Sequence, residues 1–392
     1  MGVRNQRADE PPRGAIGAMT TTATDADAGL APAAAPATPP QQSTPMLRTS
    51  RRSTGTVTLD DVASHAGVSP QTVSRSLRSP ELVSAATLER VLSSISATGY
   101  VLNHAASNLA SNRSKTVAAV IPVISASVFA DSLHGLEEVL SSAGYHLFIG
   151  STDYDTGHED EIVAALLGRR PDGVFIVGTN HSDRTRAMLA GANVPIVEAW
   201  ELTEDPIDSV VGFSNRAAIR SLVEFVHAKG YRHPTFAGSL RTSDFRAVAR
   251  RASFEASVAD LYPGEAIRVL DSGAPRVDYE TGARLLHETL ERHPETDVLM
   301  FASDVFAAGA ILECLRLGID VPGRIAITGF GDFDIARHLV PPLTTVAVPN
   351  RAIGTKAGEL LLQRMMPGPR SAIEPAGRVV DLGFTIMERA SA

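Results

Sequence analysis

The chain has 392 residues, 44% of them hydrophobic and 20% charged, with a formal net charge of −8. That length holds two or three domains, and no apolar run reaches the roughly 18 residues a membrane helix needs. The single cysteine, Cys314, excludes an intramolecular disulfide and a multi-cysteine metal site and fits a reducing cytoplasm. The N-terminus lacks the basic start and apolar core of an export signal.

Residues 1–55 are rich in Ala, Thr, Pro and Ser and nearly free of large apolar side chains. Such a stretch cannot bury enough surface to offset its ordering entropy, so it is predicted to be a disordered tail. Met19 and Met46 are alternative starts within it. Met46 would leave a short basic arm, Met-Leu-Arg-Thr-Ser-Arg-Arg, before the first helix. Charge is unevenly spread. Between Met46 and Lys115, the bases Arg48, Arg51, Arg52, Arg75, Arg78, Arg90, Arg113 and Lys115 outnumber Asp60, Asp61, Glu81 and Glu89. A small basic module on an acidic body confines phosphate attraction to one face.

Residues 56–102 read as a compact all-α module. In Thr58-Leu59-Asp60-Asp61 the threonine hydroxyl takes a free helix N–H, and an acid three residues on answers it. Val62 and Ala66 share a face, and Gly67 supplies a tight turn. Ser69 caps a second helix with Pro70 at its first position, where a missing N–H costs nothing. Val73 and Leu77 face inward. Gln71, Thr72, Ser74 and Arg75 are left outside, where they offer donors and acceptors suited to base edges and phosphates. Ser84 caps a third helix, which runs to Thr98 and stops at Gly99.

From Thr116 on, strand-like apolar runs alternate with amphipathic helices. Val117–Val123, His146–Ile149, Gly173–Val177 and Pro195–Val197 form one series. Pro234–Ala237, Ala266–Leu270, Val298–Phe301 and Ile325–Gly329 form a second. The alternation predicts parallel sheets of βαβ units, with enough units for two.

Val57-Thr-Leu-Asp-Asp-Val-Ala-Ser-His-Ala-Gly-Val-Ser-Pro-Gln-Thr-Val-Ser-Arg75, Val83-Ser-Ala-Ala-Thr87 and Gly99-Tyr-Val-Leu-Asn-His-Ala-Ala-Ser-Asn-Leu-Ala110 resemble the signature of the LacI/GalR family of repressors. The likeness runs on to Asp381-Leu-Gly-Phe384 and covers nearly everything after residue 56. It implies a helix-turn-helix headpiece at 56–102 and a hinge helix and linker at 103–114. It also implies an effector-binding and dimerisation core at 115–392, built like periplasmic binding proteins from two doubly wound subdomains. Crossovers between them are expected near 211, 330 and 346.

The resemblance also assigns roles. Residues matching Pro70, Gln71 and Arg75 read bases. Those matching Ser69, Ser74, Ser84, Thr87, Tyr100 and Asn103 hold the DNA backbone, with Thr58, Leu59, Thr72 and Arg78 completing the DNA-facing set. Leu109 matches a leucine that wedges into the minor groove; packing within a dimer is its other reading. His104 departs from a common Arg, which weakens a phosphate contact or makes it pH-dependent.

Ser127, Phe129, Arg250 and Asp304 match effector contacts, and Asp304 reads as a helix cap as well. Ser303 stands where Asn is common, and Gly331 stands where an effector-binding Asp is common, just before Asp332; Ser303 and Asp332 are counted among the candidate effector contacts. Loss of that carboxylate suits an anionic ligand. Arg246 lies four residues before Arg250, so a helix would project both guanidiniums from one face. Two such forks suit a carboxylate or phosphate. His181 and Glu198, at strand ends, are candidates for binding hydroxyls.

Val197-Glu-Ala, Val211-Gly-Phe-Ser-Asn215, Leu312-Glu-Cys-Leu-Arg-Leu-Gly318, Ile327-Thr-Gly-Phe330 and Asp381-Leu-Gly-Phe384 look most like the gluconate-repressor branch. The expectation is therefore a homodimeric repressor, cytoplasmic and nucleoid-associated. It would bind double-stranded operator DNA and a sugar acid such as gluconate, without cofactor, metal or membrane. A neutral sugar or a nucleobase is the alternative effector. An enzyme is disfavoured, because the chain has no Gly-x-Ser-x-Gly elbow, no phosphate loop and no His-Glu-x-x-His. A transport binding protein would need an export signal and no helix-turn-helix.

Overall fold

Apolar spacing and capping side chains set the first three helices. The computed structural model describes residues 57–101, 113–124, 127–239, 241, 243–273, 277–366 and 377–392. The predicted tail and the hinge residues Asn103, His104 and Leu109 lie outside the described residues. Two compact units divide at Val101 and Leu102.

In the first unit, α1 spans Leu59–Ala66, α2 Pro70–Arg78 and α3 Ala85–Thr98. Thr58 and Asp61 form a full capping box: the Thr58 N–H donates to the Asp61 carboxylate (2.8 Å), and the Asp61 N–H donates to the Thr58 hydroxyl (3.3 Å). Ser69 and Ser84 accept from Thr72 and Thr87 in the same way. Gly67, at φ +65, makes the left-handed turn between α1 and α2. Val62, Ala63, Ala66, Val73 and Val91 form the small core, and Leu59, Leu77 and Tyr100 pack against it.

The second unit holds two six-stranded sheets. The first subdomain has β1 Thr116–Ile121, α4 Ser127–Ser142, β2 His146–Ser151, α5 Thr156–Leu167, β3 Gly173–Val177, α6 Asp183–Gly191, β4 Ile196–Ala199 and β5 Ser209–Gly212. The chain then builds α7 Asn215–Ala228, β6 Pro234–Gly238, α8 Phe245–Leu261, β7 Arg268–Asp271, α9 Tyr279–Arg292, β8 Val298–Phe301, α10 Asp304–Leu317, β9 Ala326–Gly331 and β10 Thr344–Ala347. It goes back through α11 Asn350–Met365 and β11 Arg378–Asp381 to the first sheet, and ends in β12 Thr385–Met387 of the second. The strand orders are β11-β5-β4-β3-β1-β2 and β12-β10-β9-β8-β6-β7. All described pairings are parallel except β10 with β12. In each sheet the order reverses at the first strand, β1 or β6, which opens a crevice at the carboxyl ends.

This path differs from the expectation at the second and third crossovers. Gly329 lies inside β9 and Val346 inside β10, both in the second sheet. The chain therefore does not return after Gly329. It returns between β10 and α11 and crosses for the last time between β11 and β12. β10, β11 and β12 lie beyond Ile325–Gly329, the last apolar run that the alternation marked.

Glycines let the returning α11 press onto α4. A Cβ on Gly354 would collide with the Ser132 carbonyl, and one on Gly135 with the Arg351 carbonyl. The Ser132 hydroxyl donates to the Asn350 carbonyl at 2.6 Å across the same contact. The final residues are stitched into the second sheet: the Ser391 hydroxyl donates to Ile327 O (2.6 Å) and accepts from Thr344 N–H (2.8 Å). Gly354→Ala should destabilise the core by about 1–3 kcal/mol, seen as a lower unfolding temperature by calorimetry. Gly191→Ala, whose Cβ meets open space within α6, should hold or raise it.

Candidate functional site

On α2, Gln71, Arg75 and Arg78 are exposed at i, i+4 and i+7 and so share one outward face. Thr72 and Ser74 flank it half-buried. The Ser69 and Thr72 hydroxyls bond each other at 2.9 Å, as do those of Ser84 and Thr87 at 3.0 Å. Pro70 and Thr58 are exposed, while Leu59 and Tyr100 turn toward the headpiece core. The face can donate through two guanidiniums and both donate and accept through one carboxamide, which is the chemistry for reading base edges in a major groove.

The second site is a cleft at the carboxyl ends of the strands. Pro122, Thr152, Gly178 and Glu201 follow β1 to β4, and with Tyr154 and the start of α8 they line a cavity of about 60 Å³. Asp244 caps α8, accepting the N–H groups of Arg246 (3.2 Å) and Ala247 (3.3 Å). It also pairs with Arg246 Nε at 3.4 Å. The Arg246 guanidinium lies 5.5 Å from the Phe129 ring centre and 5.9 Å from that of Tyr154.

One helical turn on, Arg250 lies 4.8 Å from the Phe330 ring centre. Its Nη1 donates to Asn215 Oδ1 at 2.9 Å. Phe129, Trp200, Phe213 and Phe330 form a row at successive ring separations of 5.2, 6.3 and 6.2 Å. Trp200 sits at φ +75, in the left-handed region that a bulky residue rarely enters.

Electrostatics here are tightly balanced. Burial raises the Asp244 pKa, but the two adjacent guanidiniums outweigh it and hold the carboxyl below its usual range. Burial raises Glu201, whose carboxylate accepts from Leu202 N–H (3.2 Å) and Asn215 Nδ2 (2.9 Å). Three buried donors remain: Arg246 Nη1, Arg250 Nε and Trp200 Nε1 have no acceptor among the described residues. Buried donors are costly to leave unpaired.

The other expected effector residues are placed differently. Ser127 opens α4, and its side chain lies outside what is described. Ser303, not Asp304, caps α10, accepting Val305 N–H at 3.3 Å. Asp304 is the first helical residue and is fully buried. It accepts from the Thr345 hydroxyl (2.5 Å) and Phe333 N–H (2.7 Å), and burial pushes its pKa to about 6. Asp332 accepts from Arg389 at 2.6 Å.

His181 and Glu198 do not reach the cavity. The His181 side chain is 1% exposed and lies between Glu159 (Nδ1 to Oε1, 2.8 Å) and Glu198 (Nε2 to Oε1, 3.5 Å). Glu198 also accepts Ile207 N–H at 2.6 Å. Strand-end position placed these two residues at the rim, but the side chains are buried against each other, at an ion-pair distance that leaves His181 Nε2 and Glu198 Oε1 without a hydrogen bond among the described residues.

Sequence reasoning missed Tyr154, Trp200, Glu201, Asn215 and Asp244. Only two left a signal: Trp200 is the lone tryptophan, and Asp244 stands two residues before Arg246 as a cap should.

Comparison with known proteins identifies both parts of the chain. Residues 58–103 match the model of bacterial regulatory proteins of the lacI family, and 223–392 match a periplasmic binding protein-like domain. The HTH-type transcriptional regulator GntR of Escherichia coli (strain K12) is 32% identical over 330 residues, covering 84% of this chain and 96% of its own. A LacI family regulator from Silicibacter pomeroyi, known by crystal structure, is 35% identical with a TM-score of 0.78, covering 86% and 99%. A CelR–cellobiose complex is 25% identical with a TM-score of 0.59, covering 86% and 100%. The chain is a two-part regulator, a helix-turn-helix module joined to a binding-protein core. It belongs to the lacI family of bacterial transcriptional regulators, and its relatives are DNA-binding proteins, not enzymes.

The His181 cluster generates a pH prediction. Burial lowers the imidazole pKa, but hydrogen bonds and charge from Glu159 and Glu198 outweigh it and raise the value from 6.5 to about 9. The folded value exceeds the unfolded one, so the stabilisation is complete below pH 6.5 and fades as pH rises through 9. Wild type should shed on the order of 1–3 kcal/mol of stability across that window. His181→Gln should flatten the slope in urea melts run at each pH.

Proposed function

We propose that this chain is a repressor of carbohydrate or sugar-acid utilisation genes, switched by a sugar acid such as gluconate bound in the cleft. The carrying observation is the set of three buried donors on Arg246, Arg250 and Trp200 that have no acceptor among the described residues, with Arg246 on the cavity wall. A carboxylate offers acceptors to guanidinium forks, and a polyhydroxylated tail offers further oxygens. The nearby carboxylates answer other groups: Asp244 accepts from the α8 start and reaches only Nε of Arg246, and Glu201 accepts from Leu202 and Asn215. The resemblance to the gluconate-repressor branch supports the same class.

A neutral sugar is the second reading. Asp244 and Glu201 offset the charge of the two arginines, and the CelR relative is described with cellobiose.

In this proposal two chains pair, and each headpiece reads one half of a near-palindromic operator. Such a protein works at the chromosome, in the cytoplasm. Gln71 and Arg75 read bases, with Pro70 beside them and Arg78 on phosphate. Ser69, Thr72, Ser74, Ser84 and Thr87 position the backbone, and Leu109 in the hinge wedges into the minor groove. Ligand binding shifts the equilibrium between two core arrangements through its different affinity for each.

Isothermal titration against gluconate, related sugar acids, neutral sugars and purines tests the ligand class. Micromolar binding of a sugar acid, abolished in Arg246→Ala, is expected; binding of a neutral sugar or purine alone would overturn the sugar-acid assignment. On DNA, Arg75→Ala should cost about 1–3 kcal/mol and relax discrimination at one base position. Selection of operators from random duplexes, followed by anisotropy titration, reads both effects.

A further inference from the structure

Asn215 begins α7, just after the chain leaves β5 for the second subdomain, and it is wholly buried. Its carboxamide makes three hydrogen bonds. Oδ1 accepts from Arg250 Nη1 (2.9 Å) in the second subdomain. Nδ2 donates to Trp200 O (3.1 Å) and Glu201 Oε2 (2.9 Å), just beyond β4 in the first. A guanidinium only donates and a carbonyl only accepts, so the orientation of the amide is fixed.

The loop it grips is itself clamped to β5. Trp200 N–H donates to Val211 O at 3.1 Å. A Cβ on Gly212 would collide with the Glu201 backbone, so Glu201 rests directly on that glycine. The strained Trp200 backbone, the end of β5 and α8 therefore converge on one side chain.

We propose that Asn215 is the positioning residue that transmits the state of the Arg250 guanidinium to the Trp200–Glu201 loop, and so links the cleft to the first subdomain. No other side chain of this length accepts from a guanidinium while donating to a carbonyl and a carboxylate. Aspartate would keep the Arg250 limb but set a second acceptor against Glu201. Alanine would cut both limbs. A ligand acceptor that takes Arg250 Nε fixes the guanidinium plane, and the shared amide carries that constraint to Trp200. The link to ligand rests on the cleft being the effector site; the link between Arg250 and Trp200 does not.

Trp200 is the chain's single tryptophan, so its emission reports the loop in the full-length protein without a label. A double-mutant cycle in the absence of ligand tests the link. Arg250→Ala and Asn215→Ala should each shift the Trp200 emission maximum and acrylamide quenching, and the double variant should shift them no further than Asn215→Ala alone. Asn215→Asp should shift Trp200 while sparing the Arg250 limb, and it serves if the alanine variant does not fold. Additive shifts, or an Asn215 variant with wild-type emission, would overturn the proposal.

A second measurement adds ligand. With whichever of gluconate, cellobiose or hypoxanthine binds wild type, the ratio of operator Kd with and without saturating ligand should fall in Asn215→Ala from its wild-type value (typically about 5- to 150-fold) toward one. An unchanged ratio at saturation would count against the link as well. Failure of all three compounds to bind wild type would remove the effector reading and leave the fluorescence cycle to decide on Asn215.

Discussion

Two guanidiniums, Arg246 buried and Arg250 half-buried, are the constraint around which the core is arranged. A buried charge is tolerated only when paired and hydrogen-bonded. Arg246 is held by the cap carboxylate of its own helix and by the faces of Phe129 and Tyr154. Arg250 is held by a neutral amide and the face of Phe330. The two are supported differently: Arg246 has a charged partner, while Arg250 depends on a dipole and a ring. Each still has a nitrogen with no acceptor among the described residues. The incomplete pairing is what distinguishes this wall from a buried salt bridge.

The topology explains how such a wall is assembled. Both sheets reverse strand order at their first strand, so both present carboxyl ends to the same crevice. Phe129 and Trp200 come from the first subdomain, Phe213 from the crossing, and Phe330 and both arginines from the second. No single βαβ unit contains the site. The aromatic row lets the apolar core continue across the joint between the subdomains, where an open seam would admit water and weaken every charge interaction beside it.

The headpiece was legible because its signals are local. Thr58 with Asp61, Gly67, Ser69 with Pro70, and Ser84 are each read within a few residues, and each appears as a cap or turn. The alternation of strands and helices in the core was legible for the same reason. The arginine pair was legible as an i, i+4 spacing on α8. What was hidden depends on contacts distant in sequence. Asn215 earns its place through Arg250, 35 residues away, and no spacing rule links them. His181 and Glu198 looked like rim residues because strand-end position does not reveal which way a side chain turns. Asp304 sits one residue too late to cap, a shift that decides whether its oxygens serve a helix end or β10.

The path of the last segment has a consequence for biogenesis. Residues 350–387 supply α11 and β11 to the first sheet and β12 to the second. Neither subdomain is complete until that stretch has left the ribosome. Among the described residues, the headpiece core is made wholly of side chains between Val57 and Tyr100. During synthesis the DNA-reading module can therefore fold well before the part that controls it, and a chain stalled late in translation would carry a finished headpiece on two open sheets. The unpaired strand edges of such a chain would expose it to aggregation and proteolysis.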